Sequence, residues 1–282
     1  MSGSISGLSP VATYLAEEKD EAKSAANYAK TNATVSNDVA SFEKDAPTIT
    51  SATALMKNYK ALSVVLGAYG LGSIQGETAL VKDLLTQDPT SSTSVAAKSG
   101  NATWLAFAKA FSAWNEASSS STSTTSPFAD PTTLESVVTQ YEQGQYETSL
   151  NNSTSTPGVG SALYFTRTMT SSMTLNDIMA DSKLLTVVET VSGFNPTQFG
   201  ALDFDEQQRL LSKTVNLSDF STPAKIQKYA EQYLATLQIS PQPVTQPASL
   251  LSLYGSDGST NTTLSLFGVT SSGSSLVSSL FG

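Results

Sequence analysis

Apolar residues recur at intervals of three and four along most of this chain, the spacing that places side chains on one face of a helix. No alternating pattern typical of a strand persists before the proline-containing segment 241–247. Residues 52–70 predict one helix that Ser51 caps and Gly70 ends. Its apolar stripe is formed by Leu55, Tyr59, Leu62, Leu66 and Tyr69. The fold class predicted from this pattern is all-α, a helical bundle.

A second stripe is aromatic. Residues 102–114 place Trp104, Phe107, Phe111 and Trp114 on one helical face, and we expect this face to be core because large apolar residues at helical spacing are typical of buried surfaces. A short helix is predicted at about 78–86. Further helices are predicted at 134–146, 161–169, 173–193, 205–215 and 224–238.

The segment 11–45 is rich in alanine, glutamate and lysine and contains neither proline nor glycine. That composition favours a helix. We therefore expect a long N-terminal helix, or two consecutive ones, only partly packed on the rest of the protein.

Composition shifts divide the chain into five parts. The predicted organisation is an N-terminal tail (1–10), a first helical unit (11–116), a Ser/Thr-rich loop or linker (117–133), a second helical unit (134–240) and a C-terminal tail (241–282). The tail is proline-bearing at first and then rich in glycine and serine, so we expect it to be non-helical and partly extended.

The two helical units contain related segments. Residues 54–71 and 177–194 align without gaps and share six identities, among them Lys60 with Lys183 and Gly70 with Gly193. The pattern predicts a bundle of two pseudo-repeated units, since two copies are too few for a solenoid. Two amphipathic helices that match by chance are the alternative.

Charge and composition narrow the function. The net charge is −9, which disfavours nucleic-acid binding because that function needs a basic surface. The chain has no cysteine and no histidine, so thiol nucleophiles, imidazole bases and their metal sites are absent. We therefore expect no enzymatic activity, no catalytic residues, no metal and no cofactor. No apolar stretch is long enough to insert in a membrane, and no cleavable signal peptide is visible.

Three clusters of polar or flexible residues suggest chemistry, and each has a simpler structural explanation. Asp203, Asp205 and Glu206 lack the spacing of a calcium loop. We expect Asp203 or Asp205 to cap the helix that follows and the others to interact favourably with its N-terminal dipole. The glycines of LGAYGLG lack the Lys-Ser/Thr pair of a phosphate loop, so helix termination explains them. Lys60 and Lys183 are expected to be surface side chains or salt-bridge partners rather than catalytic lysines.

Several motifs resemble one known family. The segments LMKNYKALSVVLGAYGL, VKDLLTQDP and FAKAF, followed by YEQGQYE, ALYFTR, FGALDFDEQQRLLSKTV and DFSTPAKIQKYAEQYLA, are similar to the family called domain of unknown function 1217. The resemblance covers about residues 10–240. This family is mostly alphaproteobacterial and is often encoded among flagellar genes. Its activity is not established, so the resemblance implies no catalytic residue.

Two hypotheses for the function follow. The first is a non-enzymatic structural or protein-interaction component of the flagellar system, which suits the resemblance and a Ser/Thr-rich chain without cysteine or histidine. Such a protein is made in the bacterial cytoplasm and is exported without a cleaved signal, and its partners are flagellar axial components or further copies of itself. The alternative is a cytoplasmic binding or regulatory module for a peptide or small molecule. Its ligand would enter a cleft between the two units lined by Trp104, Trp114, Tyr164 and Phe165.

The C-terminal tail repeats one short phrase three times, as LSLYG, LSLFG and SSLFG. Each copy places leucine and an aromatic residue directly before glycine. A leftover segment, an adhesive segment and a docking segment are all compatible with the pattern, and we expect docking, since short apolar pieces on a flexible chain fit grooves. The candidate docking residues are Leu251, Leu253, Tyr254, Leu264, Leu266, Phe267, Leu280 and Phe281.

Overall fold

Helices follow one another throughout the part of the chain that the computed structural model describes, which is residues 9–114 and 126–239. No strand occurs within those two stretches, so the predicted all-α class is confirmed. The helices of the first stretch are α1 (Pro10–Glu17), α2 (Glu21–Thr31), α3 (Ala33–Asp45), α4 (Ala52–Lys57), α5 (Tyr59–Ala68), α6 (Thr78–Thr86), α7 (Val95–Ser99) and α8 (Ala102–Ala110).

The second stretch contains the longest helix. Its helices are α9 (Pro131–Asn151), α10 (Val159–Thr168), α11 (Leu175–Ala180), α12 (Ser182–Val191), α13 (Pro196–Phe199), α14 (Phe204–Thr214) and α15 (Pro223–Ile239). Helix α9 begins within the segment predicted to be a loop, because Asp130 caps it and Pro131 occupies its first turn. No helix in these two stretches is long and apolar enough to cross a membrane.

The prediction of a long N-terminal helix is wrong, because three helices occupy its place. A 3-10 turn at Glu18–Asp20 separates α1 from α2, and Asn32 separates α2 from α3. The backbone of Asn32 is extended, with φ −90° and ψ 109°, and its side chain accepts hydrogen bonds from the backbone N–H groups of Thr34 and Val35. Asparagine forms such local bonds readily, and they end one helix while they start the next.

The predicted helix 52–70 is likewise broken in two. Asn58 leaves the helical conformation at the junction of α4 and α5, and its side chain accepts a hydrogen bond from the backbone N–H of Ala61 at 3.1 Å. The break carries Tyr59 out of the apolar stripe, so this side chain is 72% exposed. The stripe residues Leu55, Leu62 and Leu66 are buried as predicted.

The two segments aligned in the sequence share local structure. Helices α4 and α5 occupy the same aligned positions as α11 and α12, and Asp181 caps α12 as Asn58 caps α5. Gly70 and Gly193 follow the second helix of each pair with φ of 70° and 82°, the left-handed conformation that ends helices. The duplication of whole helical units remains a prediction.

Two hydrophobic clusters form the interior. The first is built from α2 to the amino-terminal half of α9 and includes Phe107 and Phe111, with Trp104 and Trp114 packed against it. The predicted aromatic core is thereby confirmed. The second cluster is built from α10 to α15, and α1 joins it through Tyr14.

Helix α9 connects the two clusters, since it packs on α2 and α5 on one side and on α10 on the other. Glycine allows its close contact with α10. A Cβ atom placed on Gly160 would lie 1.9 Å from the carbonyl oxygen of Glu147, so only a glycine fits there. The result is a rigid junction at the middle of the bundle, where the charged residues described next are found.

Candidate functional site

A cleft of about 550 Å³ opens between the elements of the first cluster and those of the second. Helices α5, α8 and α9 line it on one side, and α10, α11 and α12 line it on the other. Its lining residues are Gly67, Ala68, Tyr69, Gly70, Ala102, Thr103, Ala106, Gln140, Gln143, Gly144, Glu147, Tyr164, Arg167, Thr168, Met173, Asp177, Asp181, Lys183 and Leu184.

Helix α9 contributes a polar stripe to the cleft. Gln140, Gln143, Gly144 and Glu147 recur at spacings of three and four, so they lie on one face. This face lies close to α5, since a Cβ atom placed on Gly144 would be in ordinary contact with the carbonyl oxygen of Gly67, at 3.7 Å. The stripe leads to Glu147, which is 1% exposed.

Two cations from different helices flank the Glu147 carboxylate. Arg167 Nη1 of α10 lies 2.6 Å from Oε1, and Lys183 Nζ of α12 lies 3.5 Å from Oε2. Neither carboxylate oxygen has a hydrogen bond of normal geometry to any described residue, although both oxygens are buried. The carboxylate is therefore balanced by charge but incompletely bonded, which is costly in a low-dielectric interior.

Burial raises the pKa of Glu147 to about 7, although the positive charges of Arg167 and Lys183 act in the opposite direction. Desolvation thus outweighs the attraction of the two cations. A carboxyl group with such a pKa exchanges its proton near neutral pH, so the charge of the cleft changes there.

Tyr164 and Asp181 hold the lysine in place. The Tyr164 hydroxyl donates a hydrogen bond of 2.5 Å to Asp181 Oδ2, and the Lys183 ammonium lies 4.4 Å from the centre of the Tyr164 ring. Burial, with Asp181 beside it, raises the pKa of Tyr164. The ring is within the range of a cation–π contact, which stabilises the position of Nζ at the cleft wall.

Arg167 separates this cleft from a second depression of about 430 Å³ on the outer side of α10. There its guanidinium makes an ion pair with Glu21 of α2. Glu21, Arg167, Glu147 and Lys183 consequently form a continuous row of alternating charges through four helices. Removal of Arg167 would leave the buried Glu147 with Lys183 alone and Glu21 without its ion pair, so the row contributes to the relative positions of those helices.

The structure places the sequence-predicted site residues in different surroundings. The eight candidate docking residues of the tail lie outside the described residues. Of the four aromatics expected in a cleft, only Tyr164 lines it. Trp104 and Trp114 pack against the first cluster, and Phe165 is fully buried, stacked on Tyr229.

The acidic segment after Gly200 behaves as the start of a helix. Asp203 occupies the N-cap position of α14 without a hydrogen bond from its side chain, and Asp205 and Glu206 lie in the first turn, where Glu206 pairs with Arg209. Within residues 9–114 and 126–239, no group of three or more acidic side chains is arranged to hold a metal ion.

Sequence patterns alone did not identify the charged row. Lys183 was considered only as a surface or salt-bridge lysine, and the salt bridge is observed. Glu147 and Arg167 end two of the segments that resemble the family, YEQGQYE and ALYFTR. The polar stripe of α9 formed by Gln140, Gln143, Gly144 and Glu147 is the signal that could have indicated Glu147.

Comparison with family models gives a match over residues 68–226, more than half of the chain, to the family described as protein of unknown function (DUF1217). The chain belongs to the DUF1217 family. This DUF1217 protein also resembles a crystal structure of a protein from the alphaproteobacterium Agrobacterium tumefaciens, with a TM-score of 0.67 and 20% identity. The match covers 84% of this chain and 99% of the other. At this identity the likeness shows a common fold only.

Comparison with curated proteins found no match for this sequence. The matched range of the family contains α6 to α14 and most of the cleft lining, including Glu147, Arg167 and Lys183. Within this DUF1217 protein, the cleft is therefore the feature from which a function can be argued.

Proposed function

We propose that this protein is a non-enzymatic binding module that receives a small molecule or a short peptide segment in the cleft between its two hydrophobic clusters. The observation that carries the proposal is the cleft itself. Its volume of about 550 Å³ lies within the range of about 300–1,000 Å³ that is usual for ligand pockets. The lining combines apolar side chains with a few converging charged groups, the composition that such pockets share.

The lack of cysteine and histidine supports a binding role over a catalytic one. Glu147, the cleft residue whose pKa lies nearest neutral pH, has cations beside it and no nucleophile. A general base needs a partner within hydrogen-bond reach, and the cleft offers side chains suited to holding a ligand instead.

Ligand screening against a variant with a filled cleft tests the proposal. Ala106 of α8 lines the cleft and is exposed, so the change Ala106→Trp places an indole where the ligand would lie. Ala110 is exposed on the same helix but does not line the cleft, and Ala110→Trp is the matched control. A library of small molecules and short peptides would be screened by ligand-observed NMR against all three proteins.

We expect some compounds to bind the wild type and Ala110→Trp but not Ala106→Trp. If no compound binds the wild type, or if every compound that binds is indifferent to Ala106→Trp, the cleft is not a ligand site and the proposal is wrong.

A second candidate is a structural or protein-interaction role in the flagellar system, with export to the flagellum. The Ser/Thr-rich composition without cysteine or histidine supports it, as does the resemblance to a family often encoded among flagellar genes. A deletion strain should swim poorly, and the protein should co-purify with hook–basal-body or filament material. Normal motility together with a protein confined to the soluble fraction would exclude this role.

A further inference from the structure

Two cations of the cleft have hydrogen-bond donors that no described residue uses. Lys183 is 41% exposed and carries three N–H donors, yet its Nζ makes no hydrogen bond to any described residue. Among the described residues Nζ makes one ion pair, with Glu147 at 3.5 Å, which is longer than a charge-assisted hydrogen bond. The Tyr164 ring and the cleft wall hold this ammonium in position without satisfying it.

Arg167 has donors to spare as well. Both of its carboxylate partners, Glu21 and Glu147, are contacted through Nη1. Its Nη2 and Nε groups make no hydrogen bond within residues 9–114 and 126–239, although the side chain lines the cleft and is 30% exposed. A guanidinium presents its donors in a fork that fits a carboxylate, so Nη2 and Nε have donors that a ligand anion could use.

The other carboxylates of the cleft are already satisfied. Asp181 accepts hydrogen bonds from two backbone N–H groups at the start of α12 and from the Tyr164 hydroxyl. Asp177 accepts from the backbone N–H and the hydroxyl of Thr174. Both carboxylates therefore already have donors within the protein, whereas Lys183 Nζ and Arg167 Nη2 and Nε make no hydrogen bond to the described residues.

Glu147 occupies the place between the cations that a ligand anion would share. A second negative charge beside it would be repelled while Glu147 is ionised. Protonation removes this repulsion, and burial already favours the neutral carboxyl group.

We propose that the cleft binds a ligand that carries a carboxylate, which Arg167 and Lys183 hold, and that Glu147 takes up one proton when this ligand binds. The apolar part of the ligand lies against Tyr69, Ala102 and Ala106 on the facing wall. This inference rests on the proposed function and adds the chemical class of the ligand and the coupling to pH.

The groups that surround Glu147 determine the direction of the pH effect. Titratable and charged side chains are presented by α2 (Glu21), the end of α5 (Tyr69), α10 (Tyr164, Arg167), α11 (Asp177) and the start of α12 (Asp181, Lys183). An added anion stabilises the protonated form of Glu147, so its pKa is higher in the complex than in the free protein. The affinity is then constant below about pH 7 and falls as the pH rises, by about tenfold per pH unit if one proton is taken up.

Three probes of similar shape and different charge test the ligand class. Phenylacetate, phenylacetamide and phenethylamine would be titrated into the full-length protein by calorimetry at about pH 6. We expect phenylacetate to bind most tightly and Lys183→Met to weaken it by about tenfold, the usual effect of losing a charge-assisted hydrogen bond. Lys60→Met is the matched control, because Lys60 holds the aligned position in α5 but lies outside the cleft, and it should leave the affinity unchanged.

Proton uptake on binding is measured by repeating the phenylacetate titration at about pH 8 in two buffers of different ionisation enthalpy. We expect uptake of about one proton per ligand in the wild type and none in Glu147→Gln. Glu147→Gln should also bind phenylacetate with an affinity that does not vary with pH. If that variant fails to fold, the uptake by the wild type still decides the question.

The failures of the two proposals can be told apart. If the amide or the amine binds as tightly as phenylacetate, if none of the three probes binds, or if no proton is taken up, the carboxylate inference is overturned. If no compound of the library binds the wild type, or if every compound that binds is indifferent to Ala106→Trp, the binding module as a whole is overturned instead.

Discussion

Replacement of Gly160 by alanine tests the closest helix contact in the protein. The added Cβ atom would lie 1.9 Å from the carbonyl oxygen of Glu147 and 2.6 Å from its carbonyl carbon. The backbones of α9 and α10 must therefore move apart by about 1.5 Å to restore an ordinary contact of 3.4 Å. Both sides of the contact are main chain, so a change of rotamer cannot relieve it.

The expected cost follows from that geometry. Overpacking in protein cores costs about 1–3 kcal/mol and sometimes more. We expect the upper end, about 3 kcal/mol, because a clash between two backbones spreads along both helices. For a protein of this size this corresponds to a fall in Tm of about 10 °C. It is a large part of a total stability of about 5–15 kcal/mol.

Gly144→Ala is the matched control, since Gly144 lies within α9 beside the same site. Its Cβ atom would lie 3.7 Å from the carbonyl oxygen of Gly67, which is an ordinary contact. Alanine is favoured over glycine in a helix by about 1 kcal/mol, so this variant should be equal to or more stable than the wild type. Urea and thermal unfolding followed by far-UV circular dichroism would measure both. If Gly160→Ala were as stable as Gly144→Ala, the close contact between α9 and α10 would be refuted.

Three further predictions concern other parts of the bundle. Because Tyr59 is exposed and Leu62 is buried, Tyr59→Ser should change the free energy of unfolding by less than about 0.5 kcal/mol and Leu62→Ala should lower it by about 2–5 kcal/mol. Equal effects of the two substitutions in urea titrations would contradict the break at the start of α5. Ser126→Ala should cost about 1–2 kcal/mol, because the buried hydroxyl donates to the Ala46 carbonyl at 2.7 Å, and unchanged thermal unfolding would argue against this bond. Burial raises the pKa of Glu189 to about 7, so the folded state holds a proton that the unfolded state releases above about pH 4.5. This contribution to stability is lost as the pH rises from about 4.5 to 7. Above pH 7, Glu189→Gln should therefore be more stable than the wild type by on the order of 1 kcal/mol. If both proteins show the same pH profile of Tm, the raised pKa of Glu189 is excluded.

Periodicity predicted the helices well where one apolar stripe continued to a clear stop. Helix α6 occupies its predicted range of 78–86, and Gly70 and Gly193 end their helices in the left-handed conformation. The breaks at Asn32 and Asn58 were not predicted, because the apolar positions on both sides continue at helical spacing. A single asparagine that caps the next helix does not interrupt the apolar spacing. The exposure of Tyr59, an apolar-stripe position, is the visible consequence of the break at Asn58.

The cleft could be predicted from the sequence less well than the helices. Helical spacing groups residues on one helix, and of the four aromatics expected in a cleft between the two units only Tyr164 lines it. Such spacing does not indicate that Glu147, Arg167 and Lys183, which belong to three helices, meet at one point. That meeting depends on the close approach of α9 and α10 at Gly160, a tertiary contact with no periodic signature.

The position of α1 has a consequence for the order in which the protein folds during synthesis. Tyr14 is fully buried in the second cluster, and its hydroxyl hydrogen-bonds to Thr166, 152 residues further along the chain. At a synthesis rate of about 5–20 residues per second, α1 waits about 8–30 s on the ribosome before its binding surface has been made. During that interval the apolar face of α1 is available to chaperones. The second cluster is complete only when α1 packs on the helices that were synthesised after it.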